Sequence, residues 1–255
     1  MLRRRFREVS VHTSRLSQLA ISLATASALL FATMPLVSKM GALPSRISFP
    51  LFLLGGLLGL VGLILALVAL YTTRPAKGRA GRGLAWGALA LSLPVLVGIA
   101  FAASSGGSAP PINDITTDPG DPPQFAALAR EGPNEGRDMS YPGEAFASQQ
   151  RAAYPDLAPI AVASPPDATF AAVESAIGGF GWKIVAADAS AGVIEATDTS
   201  RMFRFVDDIA VRIRPDGTGS RVDVRSKSRE GKGDLGVNAA RIRRLRDALG
   251  IAPAA

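Results

Sequence analysis

The sequence of 255 residues contains no cysteine and one histidine, His12. Without thiols there is no disulfide, thiolate zinc site, iron–sulfur cluster or cysteine nucleophile. With one imidazole there is no His-rich metal site, and a Ser-His-Asp triad would have to draw on the first dozen residues. Aromatic residues are scarce at 6%. Acids are scarce in one region only. Residues 1–103 hold 11 Lys/Arg and a single acid, Glu8, whereas residues 104–255 hold 17 Lys/Arg and 20 acids. The net charge of +7 therefore belongs to the first part alone. A nucleic-acid partner, which a pI near 10.3 would otherwise suggest, is not expected.

What the chain has in excess is uncharged apolar sequence. Three stretches carry no charge: 23 residues between Arg15 and Lys39, 27 between Arg46 and Arg74, and 20 from Leu84 to Ala103. A helix needs about 20 residues to cross about 30 Å of hydrocarbon. The backbone must satisfy itself there, so each stretch is expected to be a helix, over about 16–38, 49–71 and 84–103. The first apolar run is too long for a signal-peptide core and ends in no small-x-small cleavage site, so it reads as a retained span. Pro94 is expected to kink the third. Ala24, Ala28 and Ala32, then Gly55 and Gly59, then Gly62 and Ala66 recur at four-residue spacing, which lets helices approach closely. They predict packing within the bundle, with a helix-mediated homo-oligomer through Gly55 and Gly59 as the alternative. No ionisable residue lies inside a span, so a pump or transporter lacks its usual chemistry.

The cations orient the chain. Arg3, Arg4, Arg5, Arg7 and Arg15 precede the first span, and Arg74, Lys77, Arg79 and Arg82 sit between the second and third, against only Lys39 and Arg46 on the other side. The positive-inside rule then puts the amino terminus on the cytoplasmic side and everything after about residue 104 outside.

Residues 104–124 contain five prolines and three glycines and read as a linker. Residues 125–255 are expected to form an exported α+β domain, an antiparallel sheet flanked by helices. Helical stretches are expected near 123–130 and 143–153. Ser164-Pro-Pro-Asp167 reads as a cap opening a helix whose apolar residues are Phe170, Val173 and Ile177, ended by Gly178-Gly179. Alternating segments follow at 182–188, 192–198, 202–206, 209–214 and 221–228. Pairing Ile213 with Val222 sets Arg212 opposite Asp223. The closing helix, about 236–249, carries Ile242, Leu245 and Leu249 on one stripe. This order resembles helix-grip or TBP-like α+β domains, modules that envelope lipoproteins of outer-membrane assembly machinery contain.

Several runs resemble one family: PPINDITTD at 110–118, AYPDL at 153–157, GW at 181–182, IEATDTS at 194–200, FRFVDDIAVRI at 203–213 and GSRVDVRSKSREGKGDLGVNAARIR at 219–243. They are similar to the membrane-anchored bacterial members of the domain of unknown function numbered 1499, over about 110–249. The resemblance implies an envelope protein without an assigned activity and supplies no catalytic residues. Other members open with a Cys-Pro-Asp-Ser-Pro-Asn-Cys type of segment. Here that place reads PPINDITTDPGD, so no role of that segment carries over.

No catalytic residue and no cofactor is assigned. Gly231-Lys-Gly233-Asp-Leu-Gly236 matches a dinucleotide fingerprint literally, but neither the further parallel strand nor the distant acid follows. A milder expectation is that Lys232, Gly233 and Gly236, at a helix start, hold one phosphate or carboxylate. Arg204, Arg212, Arg214, Arg221, Arg225 and Lys227 are expected on the polar face of the sheet, as a surface for an envelope protein or an anionic lipid or polymer. A bulge is expected at Asp207-Asp208, which otherwise point to opposite faces. Asp114, Asp118 and Asp121 match calcium-ligand spacing only superficially. The leading expectation is a membrane-anchored, non-catalytic binding domain. The alternative is an envelope enzyme acting on lipid or cell wall through carboxylates such as Asp208 or Asp234.

Overall fold

A computed structural model describes residues 13–77, 79–105 and 109–251. His12 and the basic tail at Arg3, Arg4, Arg5 and Arg7 lie outside the described residues. The chain divides into two compact units, residues 1–105 and 106–255.

The first unit is three helices: α1 (Arg15–Lys39), α2 (Ser45–Thr72) and α3 (Arg82–Ser105). Each is long and apolar enough to cross a membrane. Their packing inverts that of a water-soluble bundle. Most of the buried positions are small (among them Ala20, Ala24, Ser27, Gly55, Gly59, Gly62, Ala66, Ala88 and Ser92), while Leu29, Leu57, Ile64, Leu67 and Val97 point outward. Lipid is as apolar as leucine, so close backbone approach is what holds such helices together. A methyl group added at Gly59 would stand 2.7 Å from the Ser27 hydroxyl, and one at Gly55 would stand 3.0 Å from Leu30 Cβ. Gly55 and Gly59 thus face α1 of the same chain. Ala32, expected on the packing stripe, is exposed; the stripe runs through Ala20, Ala24 and Ser27 instead. Between α2 and α3 the cationic loop folds back on itself. Arg74 lies 3.8 Å over the Tyr71 ring, and Arg82 donates to the Leu70 carbonyl at 2.9 Å.

The second unit is a six-stranded antiparallel sheet with three α-helices. The strands are β1 (Asp114–Thr116), β2 (Ile160–Val162), β3 (Lys183–Asp188), β4 (Val193–Thr199), β5 (Val206–Asp216) and β6 (Gly219–Ser228); the helices are α4 (Glu144–Ala153), α5 (Pro166–Phe180) and α6 (Val237–Ala248). The order is β1-β6-β5-β4-β3, with β2 also on β6. The expected register is observed: Ile213 pairs with Val222 and Arg212 with Asp223. Period-two alternation sends Ile194, Ile209, Val211, Val222 and Val224 to one face, where α5 and α6 cover them with Val173, Ile177, Ile242 and Leu245.

Several expectations are corrected. The linker over 104–124 is much shorter, because Ile112 and Ile115 are fully buried in the core and β1 pairs with β6. Two isoleucines among prolines show no periodicity, which is why this edge strand reads as tether. Residues 123–130 form only a short 3-10 turn, Leu128–Arg130. Residues 201–205 form a turn rather than a strand, closed by the Ser200 hydroxyl accepting from the Phe205 N–H at 2.9 Å. Pro165, not Ser164, precedes α5, and the helix passes Gly178-Gly179 to end at Gly181, whose φ of 76° gives the left-handed cap. No bulge interrupts Asp207-Asp208; the irregular register lies between Ile184 and Ala186 of β3.

Candidate ligand site at one end of the domain

The sheet face turned away from α5 and α6 carries most of the expected cations. Arg225 on β6 is fully buried, with Nε 2.9 Å and Nη2 2.8 Å from the two Asp114 oxygens. Its remaining donors reach the Pro123 and Met139 carbonyls, and the Phe125 ring stacks 4.6 Å away. Lys227 shares Asp114 at 2.8 Å. Further along, Asp223, also fully buried, accepts from Arg212, Arg214 and Arg221 at 2.6–2.9 Å. Asp118 and Asp121 complete that group, and the arginines hold Asp121 below the ordinary carboxylate range.

Over this charged face lies the segment 118–140. Phe125, Leu128 and Met139 close on Ala210 of β5. Glu195 accepts the N–H groups of Ala126, Ala127 and Leu128 at 2.8–2.9 Å. Asp208 accepts from Arg229 and Asn134. A buried charge is tolerable only when paired and hydrogen-bonded, and these are. Five of the expected binding residues, Arg212, Arg214, Arg221, Arg225 and Lys227, are thus bonded to carboxylates of their own chain.

The other four sit elsewhere. Arg204 lies in the β4–β5 turn at φ 57°, exposed and off the sheet. Lys232, Gly233 and Gly236 belong to the connection from β6 to α6, with Lys232 exposed. The helix start expected to hold an anion already has one. Asp234 accepts from the Gly236 and Asn238 N–H groups at 2.8 and 2.9 Å.

Beside this connection is a cavity of about 360 Å³ lined by Ala109, Pro110, Ala152, Ala153, Tyr154, Leu235, Gly236 and Arg243. Tyr154 is 8% exposed, and its hydroxyl has no hydrogen-bond partner among the described residues. Such a group is unusual, because leaving a buried hydroxyl unpaired costs about 1–3 kcal/mol. Burial raises its pKa, so it stays protonated and can both donate and accept. Arg243 borders the cavity and binds Asp156 through Nε and Nη2, at 2.7 and 2.5 Å. Leu235 holds φ at 55°, a strained value for a residue with a Cβ. Tyr154 carried no signal in the sequence. A tyrosine just past a helix looks like any core aromatic until its hydroxyl is seen without a partner.

Carboxylates considered for acid–base chemistry are bonded as well. Arg241 bridges Asp198 and Asp207 at 2.8 and 2.7 Å. Burial pushes the Asp207 carboxyl up. Among the described residues, no group of three His, Cys, Asp or Glu side chains is placed to hold a metal ion.

The family model described as Protein of unknown function (DUF1499) matches residues 114–249, from the first residue of β1 to one residue past α6. The chain belongs to this family. No curated protein matches the sequence. The DUF1499 domain therefore takes in the sheet, the covering segment and the Tyr154 side of the cavity. Ala109 and Pro110, which also line the cavity, precede the match.

Proposed function

We propose that the protein is a bacterial inner-membrane protein whose second unit is a non-catalytic periplasmic domain. In this reading it binds an envelope component at the cavity around Tyr154. The observation that carries it is the Tyr154 hydroxyl, buried and without a partner among the described residues beside an open cavity, while the carboxylates of the face opposite the helices are bonded internally. A small ligand with hydrogen-bonding groups fits a cavity whose accessible lining is more polar than apolar, with Tyr154 and Arg243 among its walls. The uneven cation distribution supports the periplasmic placement. An envelope enzyme would need a carboxylate released from a structural bond, since Asp208 and Asp234 both have full sets of partners.

The test compares crosslinked pull-downs from membranes for the wild-type chain, Tyr154→Phe and Ala153→Phe. Tyr154→Phe removes one hydrogen bond and should weaken capture of a specific component about three- to tenfold. Ala153→Phe fills the cavity and should abolish it. Undiminished capture by both variants, with unchanged melting, overturns the site.

A further inference from the structure

The geometry points to a second property of this end of the domain: it is a surface that rests on an anionic bilayer. Three large apolar side chains of the second unit stand open, Met202 at 57%, Leu235 at 64% and Val237 at 49% exposed. All three lie at one end of the sheet. Met202 is in the turn that leads into β5, and Leu235 and Val237 follow the end of β6, where Ser228 pairs with Asp207. Large apolar groups standing open at one end of an otherwise polar domain mark a contact with something apolar.

Three observations identify that contact as lipid. Exposed cations accompany the apolar residues in the same two loops: Arg201 and Arg204 flank Met202, and Lys232 precedes Leu235, with Glu230 the one exposed acid among them. Basic side chains around apolar ones are what an anionic headgroup layer attracts. The opposite end of the strands, at residues 188–192 and 216–219, carries Asp188 and Asp216 and no large exposed apolar side chain. The chain itself supplies the second observation. The loop at 231–236 is bonded to the residues that open the domain, Asn113 Nδ2 donating to the Gly231 carbonyl at 2.7 Å and the Asp234 N–H to the Ile112 carbonyl at 3.2 Å. Ala109 beside them follows Ser105, the last residue of α3, by four positions. The third is strain. The two non-glycine residues with positive φ among the described residues, Arg204 and Leu235, lie in the two loops that present Met202 and Leu235. Strained backbone persists where a side chain must be held in place.

Because the chain holds no cysteine, a single substitution gives a unique thiol. The full chain is placed in nanodiscs containing phosphatidylglycerol and spin-labelled at Met202→Cys, Leu235→Cys, Val237→Cys or, at the opposite hairpin, Thr218→Cys. At 202, 235 and 237 the nitroxide should meet dissolved oxygen several-fold more readily than a water-soluble nickel chelate, with the order reversed at 218. Nickel access at all four sites equal to that at 218 overturns the proposal. Contact that persists unchanged in pure phosphatidylcholine overturns the anionic part. Labelled variants are compared at equal melting temperature, and the outcome is independent of whether Tyr154→Phe alters capture of a component.

Discussion

The charged face of the sheet and the loop end of the same domain differ in what their polar groups lack. On the face, Asp114, Asp208, Asp223, Glu195 and Arg225 are buried, and each is held by several partners across the chain. At the end, a tyrosine hydroxyl has none, a leucine stands open on strained backbone, and lysine and arginine face solvent. The two regions contain similar residue types. What separates them is the segment 118–140, which covers the face and reaches Ser228 and Arg229 through Arg137 and Glu131, but leaves the loops at 201–204 and 232–235 exposed. Richness in arginine therefore does not identify a binding surface here; the unpartnered hydroxyl at the cavity does, since Arg212, whose Nε also lacks a partner among the described residues, is otherwise tied to Asp121 and Asp223.

The strongest way to break the comparison is to open the face. Arg225→Met leaves Asp114 buried with only Lys227 as counter-ion. Removing one partner of a buried pair costs about 3–5 kcal/mol, so urea melts of the full chain in detergent should shift by that much. An effect under about 1 kcal/mol would mean that the face is solvated and that the contrast with the loop end fails. Glu195→Gln ranks next. It keeps the shape but weakens an acceptor of three backbone N–H groups, so about 1.5–3 kcal/mol should be lost. Exchange of the Ala126, Ala127 and Leu128 amides should accelerate first, since this carboxylate pins the covering segment. Uniform acceleration across β5 and β6 would show instead that the sheet itself is opening.

Much of this architecture was legible in the sequence. The spans follow from length and hydropathy alone, and the β5–β6 register follows from three valines and two isoleucines alternating about a Pro-Asp-Gly turn. The assignment of the arginines to a sheet face was also readable for Arg212, Arg214, Arg221, Arg225 and Lys227, because alternation fixes sides. What covers that face was not. Asp114, Asp118 and Asp121 are about a hundred residues from the arginines they neutralise, and their proline-rich setting has the composition of a tether. Long-range ion pairing leaves no periodic trace. Arg204 was misplaced for a related reason: FRFVDD alternates like a strand, yet Ser200 closes it into a turn.

The smallest effect concerns Asp156, which links the bonded style of the face to the rim of the cavity. Hydrogen bonds and attraction from Arg243 pull its carboxyl down to about 2. A folded-state pKa below the unfolded value of 3.8 means that this carboxylate contributes stability above that value and loses it as pH falls toward 2. Asp156 and Arg243 are each about 30% exposed (27% and 33%), so solvent screening reduces the contribution to about 1 kcal/mol or less. Asp156→Asn should therefore lower stability slightly at pH 7 and converge with the wild type near pH 2, as read from melts at a series of pH values. It should also leave Arg243 free to turn toward Tyr154. If the cavity binds an anionic group, the same variant would gain affinity while losing stability. A variant that lost both would show that Asp156 holds the cavity wall in shape rather than restraining Arg243.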